Sequence, residues 1–337
     1  MARLELSFVS AYNERVQPLM DGSVPVEGIE LIPTYSPPSE TFWRQLRFQE
    51  FDVAEMSMSS YLIARARGFD MTAIPVFPSR RLFHTEIFYH VDSGVRGPGD
   101  LAGKKVGVGE YQQTAALWSR GILEHDFGVS QYKIHWYMER TEELSHGGAT
   151  GFVPPPGISF QRIPPEKSMA SMLAAGELDA AAIGSPWKNT PTVIGRSHRI
   201  AGAGGDWSKI KPLFPDRMAE GARFFRKWGF LPVNHAYVIR GEIHRRHPWA
   251  AFNLYTAFVR AKEHFNAKLL DAIPTALFFG AEYLARTREI FGEDPYPYGV
   301  KANRGMLETL VAFSHEQGLI PERVRIEDLF APSTLDL

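Results

Sequence analysis

Between Phe51 and His84 the chain gathers serines, two arginines and a histidine around two short strand patterns, a combination suited to holding an anion. Phe51 to Glu55 reads as a short alternating strand. It turns polar at Ser57, Ser59 and Ser60 and runs into a helix that Gly68 can stop. Hydroxyls at the start of a helix lie beside free backbone N–H groups, and such a spot favours a carboxylate or another anion. Simple capping is the bland role open to the same serines. The next segment, Pro75 to His84, sets Arg80, Arg81 and His84 a few residues beyond a second strand.

Positioning these side chains requires a scaffold of alternating strands and helices. Leu4 to Ser10, Val26 to Ile32, Phe51 to Glu55 and Thr72 to Val76 read as strands, with a helix over 39–49 capped by Ser39. That alternation predicts an α/β fold with parallel-rich sheets, in which ligands sit beyond the carboxyl ends of the strands. Thr85 to Val91 reads as a crossing strand into a second unit with strands at 106–108, 134–137 and 179–183. There, a helix start offers Tyr111, Gln112 and Thr114, and a strand end offers Ser185, as ligand contacts. Pro232 to Arg240 reads as the returning strand and carries Asn234 and His235. The expected organisation is a discontinuous first domain, 1–88 plus 240–337, with 89–239 inserted. Leu254, Phe258, Ala261 and Phe265 form a helical core stripe, with Pro248 expected at the helix N1 position. The Gly/Pro-rich stretch 141–157 is expected to be a lid, a contact between copies or a mobile segment.

Composition narrows the function. The 337 residues, 44% hydrophobic and 22% charged, describe an ordinary globular protein long enough for two domains. A formal net charge of −1 gives no electrostatic case for nucleic acid or an acidic membrane surface. The absence of cysteine removes disulfides, thiolate metal sites and a cysteine nucleophile. No run of apolar residues is long enough for a membrane span, and no signal-peptide pattern opens the sequence, so a cytoplasmic protein is expected. Gly202 to Asp206 lacks the dinucleotide-binding pattern and reads as a turn. His244 and His247 enclose two arginines, which argues against a metal there. Phosphate-binding loops and nucleophile elbows are missing as well.

Longer strings carry a family resemblance. The linker Pro98-Gly99-Asp100-Leu101-Ala102-Gly103-Lys104-Lys105-Val106-Gly107-Val108 resembles that of type II periplasmic binding proteins. Glu50 to Tyr61, Ala73 to Arg80, Trp118 to Leu123, Pro297 to Arg304, Gln317 to Leu319 and Asp328 to Ser333 resemble 4,5-dihydroxyphthalate decarboxylases. One departure stands out: Phe83 precedes His84 where the family's run has an arginine. The resemblance implies two domains, each a mixed, mostly parallel sheet flanked by helices, with a ligand cleft between them. It implies decarboxylation of an aromatic dicarboxylate with no ATP, flavin or pyridoxal cofactor; no metal-ligating residues stand out, and whether a divalent metal assists is left open. Such a site needs a base near the phenol, a proton donor over the ring and cations for the retained carboxylate. Arginine's planar fork suits the clamp, here Arg80 and Arg81, and histidine suits the proton traffic. His235 and His84 are the expected catalytic groups, with Glu55 a further candidate. A solute-binding protein capturing an aromatic carboxylate without chemistry is the alternative, since the fold serves both. A cytoplasmic ligand sensor is a third reading, with no DNA-binding segment to support it. Small aromatic dicarboxylates are the expected partners, nucleic acid and membranes are not, and a homo-oligomer is left open.

Overall fold

The computed structural model describes residues 3–143, 145–183 and 206–337. Its first part runs β1 (Leu4–Ser10), α1 (Gln17–Met20), β2 (Ile29–Tyr35), α2 (Pro38–Phe48), β3 (Val53–Ser57), α3 (Met58–Ala66) and β4 (Met71–Arg80). The middle carries β5 (Ile87–His90), β6 (Lys105–Val108), α4 (Thr114–Phe127), β7 (His135–Met138), α5 (His146–Thr150) and β8 (Ser159–Arg162). It continues through α6 (Met169–Ala174), β9 (Ala180–Ala182), β10 (Ile210–Pro212) and α7 (Arg217–Trp228). The last part is β11 (Val233–Arg240), α8 (Gly241–Arg246), α9 (Ala250–Asn266), α10 (Gly280–Phe291) and α11 (Arg304–Glu316).

Two mixed sheets organise these elements. The first has the order β2-β1-β3-β11-β4, parallel at β2-β1-β3, with β11 antiparallel to both neighbours. The second has the order β10-β5-β9-β6-β7-β8, parallel from β9 through β8, with β5 and β10 antiparallel at the edge. The chain enters the second sheet with β5 and returns to the first with β11, which slots between β3 and β4.

β3 departs from the expected alternation, because all five of its residues are buried. It is a central strand covered on both faces, so the period-two contrast disappears. β4 runs past the expected end at Val76 to Arg80, and its pairing with β11 jumps from Ser79 opposite His235 to Ile74 opposite Tyr237. Pro75 and Pro78, which lack N–H donors, lie in that jump, as proline does at bulges. Ser39 falls inside α2 rather than capping it, since the capping position is Pro37. The α9 stripe is buried at Leu254, Phe258 and Ala261, but the helix begins at Ala250, beyond Pro248.

One hydrophobic core reaches from the first sheet to the second, joining Phe42, Met56 and Phe77 to Val106, Trp118 and Leu310. Close helix contact helps to make this seam. At Gly121 of α4, a Cβ would lie 2.1 Å from the Phe313 ring of α11, so only glycine lets the two approach. Trp118 adds a directed tie, its indole N–H donating to the Val233 carbonyl at 2.8 Å. Among the described residues no helix is long and apolar enough to cross a membrane.

Candidate active site

β3 and β11 bring together two residues 180 positions apart in sequence. Register places His235 opposite Ser57 and Tyr237 opposite Glu55, so Glu55 and His235 are diagonal neighbours. His235 Nδ1 lies 2.6 Å from Glu55 Oε1. The other carboxylate oxygen accepts the Ala11 N–H at 2.9 Å, and the Ser10 hydroxyl lies 3.5 Å from it. Ser10 Oγ is in turn 2.7 Å from the Tyr237 hydroxyl. Burial would raise the Glu55 carboxyl, but His235, the Ala11 N–H and the Ser10 hydroxyl outweigh it and hold Glu55 below the ordinary carboxylate value. An ionised Glu55 accepts from Nδ1–H, which leaves Nε2 as the nitrogen that can exchange a proton. The Phe42 ring of α2 packs edge-on against the imidazole, with centroids 4.8 Å apart.

Phe42 also joins this pair to a second polar cluster, since its ring meets His146 edge-on at 5.4 Å. His146 opens α5, within the stretch expected to be irregular, and Ser145 caps that short helix by accepting the Gly148 N–H at 3.1 Å. Glu110, buried beyond β6, forms an ion pair with Arg140 and accepts from Ser145 Oγ at 2.8 Å and from the His146 N–H at 3.2 Å. Burial opposes the Glu110 charge, yet Arg140 and these donors hold its carboxyl below the ordinary value. Burial, reinforced by the Arg140 charge, pushes the His146 imidazole down to about 4. Its Nε2 donates to the Ser39 carbonyl at 3.2 Å, tying α5 to α2. A cavity of about 390 Å³ opens beside this cluster, lined by Gln112, Arg140, Ser145, Phe152, Phe160 and Arg162 among others. The Arg140 Nη2 is buried with no hydrogen-bond partner.

The serines and Thr114 form the bridge between the two groups. Ser57 Oγ lies 2.8 Å from Thr114 Oγ1, the Ser59 N–H donates to the same oxygen at 3.1 Å, and Ser59 Oγ donates to the Gln112 carbonyl at 2.5 Å. Ser57 holds the capping position of α3 without bonding to it, so its hydroxyl serves the contact with α4 instead. Gln112 points its amide at Glu110, and the buried Ser60 hydroxyl has no hydrogen-bond partner.

Other sequence candidates lie elsewhere. Arg80 is buried, and its guanidinium donates to the Leu231 and Pro297 carbonyls at 3.0 and 2.8 Å and to Asn303 Oδ1 at 2.5 Å. Burial brings it down to about 10. Three oxygens of the protein already occupy it, so it is a fastener of loops rather than the open clamp expected. Arg81 forms a two-pronged pair with Glu86 at 2.8 and 2.6 Å. His84 is fully buried between Phe214 and Phe224, with Nε2 2.7 Å from Glu220. Tyr111 is buried too, its hydroxyl on Gln131 at 2.5 Å and its ring 3.7 Å beneath the Arg120 guanidinium. Asn234 is half-buried beside His235, and Ser185 lies outside the described residues. Glu110, Arg140, His146 and Ser10 were missing from the sequence-based set. The signal for His146 was the capping serine before it in a stretch otherwise resembling a loop.

A larger cavity of about 470 Å³ is lined by His90, Asp92, Asp179, Asp206 and Lys209 among others. Its three carboxylates face one lysine already 2.9 Å from Asp92, a poor setting for an anion.

No family model matches the chain. Among solved structures it is similar to the periplasmic aliphatic sulphonate binding protein SsuA from Escherichia coli, with a TM-score of 0.55 and 14% identity over the whole of both chains. It is also similar to the alkanesulfonate-binding protein SsuA from Xanthomonas axonopodis pv. citri bound to MOPS (TM-score 0.53, 15% identity, 99% and 98% of the two chains). These likenesses establish the binding-protein fold. In sequence it is 31% identical over 339 residues to the 4,5-dihydroxyphthalate decarboxylase of Comamonas testosteroni, covering 100% of this chain and 99% of that one. The enzyme of the same name from Pseudomonas putida is 37% identical over 181 residues, 53% of this chain and 70% of its own length. The full-length match to the Comamonas enzyme, on a fold with the strand and helix order just described, makes this chain a member of the 4,5-dihydroxyphthalate decarboxylase family.

Proposed function

We propose that the chain decarboxylates 4,5-dihydroxyphthalate to protocatechuate and carbon dioxide, with His235 as the proton-transfer group. The observation that carries this reading is the buried Glu55–His235 pair at 2.6 Å, joined through the Phe42 ring to the His146 cluster beside a cavity that Arg140 lines. The para hydroxyl of the substrate releases its proton to solvent water and pushes electron density to the ring carbon that bears the departing carboxylate. His235, as imidazolium, donates from Nε2 to that carbon. The carbon–carboxylate bond then breaks, its electron pair returns to the ring, and the phenolate recovers a proton. One proton is consumed for each carbon dioxide released.

Glu55 orients the imidazole and stabilises its charged form, as a carboxylate on Nδ1 does. Arg140 pairs with the retained carboxylate in the cavity, and Phe152 and Phe160 flank the ring there. The ring's own hydroxyl supplies the electron push, so this role asks the protein only for proton transfer and charge placement. The same reading takes the cleft to lie between a first domain built on the sheet containing β11 and an inserted second domain. It also takes the enzyme to act in the cytoplasm, which fractionation of producing cells would test.

The test is to incubate the protein with 4,5-dihydroxyphthalate and follow protocatechuate and carbon dioxide. Turnover supports the proposal. Saturable binding with no carbon dioxide released would leave a solute-binding protein instead.

A further inference from the structure

The segment that follows α9 is nearly bare. From Asn266 to Phe279 it winds through tight turns, including Ala272 N–H to the Lys268 carbonyl at 2.9 Å and Leu277 N–H to the Pro274 carbonyl at 2.9 Å. It then enters α10, a helix with no buried residue. Large apolar side chains crowd this arm, with exposures of 60% at Leu270, 59% at Leu277, 90% at Phe278, 77% at Phe279 and 64% at Tyr283. The turn is a built object rather than a loose end, because Gly280 sits against Ile273 and Leu277 so closely that a Cβ would fall 2.3 Å from the Ile273 side chain. α10 is moored at its far end, where Phe291 packs edge-on against Phe225 of α7 at 5.3 Å.

We propose that this arm, Leu270 to Tyr283, is the surface through which two copies of the chain associate. At about 150–250 Å² per aromatic side chain, the three rings alone expose roughly 450 Å². With the two leucines the patch exceeds the roughly 300–600 Å² that is the largest on a typical monomer and nears the ~800 Å² per partner of a stable interface. Charge favours a second copy over a charged partner. Residues 266–293 carry Lys268, Arg286 and Arg288 against Asp271, Glu282, Glu289 and Glu293, so the arm is close to neutral and does not repel itself. Glu282 and Arg286 lie one turn apart on α10, and a twofold axis across the helix would set each near its opposite on the other copy.

The chain contains no cysteine, so a single introduced thiol reports this contact cleanly. Phe278→Cys should cross-link into a covalent dimer with a short bis-maleimide at low protein concentration, while Tyr132→Cys, exposed elsewhere, should not. By sedimentation velocity the unmodified protein should run at twice the chain mass or a multiple of it. The double variant Phe278→Asp, Phe279→Asp should keep its circular dichroism and weaken association on the order of a hundredfold or more. A monomeric parent protein at tens of micromolar, equal cross-linking from both thiols, or a folded double variant of unchanged mass would each overturn the proposal. A parent monomer that acquires mass only with another protein would assign the arm to that partner instead.

Discussion

Replacing Glu55 by glutamine changes one atom and poses a problem the site cannot solve. The carboxylate accepts from His235 Nδ1–H on one oxygen and from the Ala11 N–H on the other, with the Ser10 hydroxyl 3.5 Å from that second oxygen. An amide offers one oxygen and one NH₂ group. If its oxygen faces Ala11, the NH₂ faces Nδ1, and the imidazole must move its proton to Nε2, the wrong tautomer for exchange at the ring. If its oxygen faces His235, the buried Ala11 N–H is left against a donor, at about 1–3 kcal/mol. In either arrangement the imidazolium loses a charged partner, and the step from a charge-assisted to a neutral hydrogen bond is worth about 1–1.5 kcal/mol. Together these predict a fall in kcat of roughly ten- to a thousandfold for Glu55→Gln. KM should change little, since Glu55 contacts His235 and does not line the cavity. Steady-state formation of protocatechuate gives both constants, and urea unfolding separates the local loss from a global one. A Glu55→Gln protein with kcat within twofold of the parent, or one whose loss lies wholly in KM, would refute the reasoning.

Further outcomes follow from the surrounding contacts. Arg80→Ala should cost about 3 kcal/mol or more in urea unfolding, because it strands the Leu231 and Pro297 carbonyls and Asn303; unchanged stability with a raised KM would restore Arg80 to the clamp. Arg140→Lys keeps the charge opposite Glu110 but loses the fork, so KM should rise roughly tenfold with kcat little altered. His146 has an ordinary value of 6.5 and is pushed down to about 4 in the fold, so between those pH values the unfolded chain binds the proton and the folded chain does not. Stability should therefore fall as pH drops through that window, by about 3 kcal/mol in full, and His146→Gln should flatten the dependence measured by urea unfolding.

The sequence disclosed more of the scaffold than of the site. Apolar runs and the alternation of strand with helix were enough to mark β1 to β7, β9 and β11, because those patterns are local, while the short strands β8 and β10 went unmarked. Glu55 and His235 could each be singled out as candidates, but their pairing depends on β11 inserting antiparallel between β3 and β4, a contact across 180 positions. Arg80 misled for the mirror-image reason. An arginine beyond a strand looks like a free cation until loops at Leu231 and Pro297, far along the chain, supply its acceptors. His84 looked poised at a cleft, yet Phe214, Glu220 and Phe224 close around it. The Ser145 and His146 side of the cluster around Glu110 and Arg140 was hidden in a stretch of glycine and proline, where only the capping Ser145 hinted at α5.

The central claim is that His235 moves the proton at the ring, and His235→Asn tests it most directly. Binding of 4,5-dihydroxyphthalate should weaken by no more than about tenfold, the value of one neutral hydrogen bond. Turnover measured as carbon dioxide released should fall about a hundred- to ten-thousandfold, as expected on losing a general acid–base group. A His235→Asn protein that releases carbon dioxide at the parent rate would contradict the account.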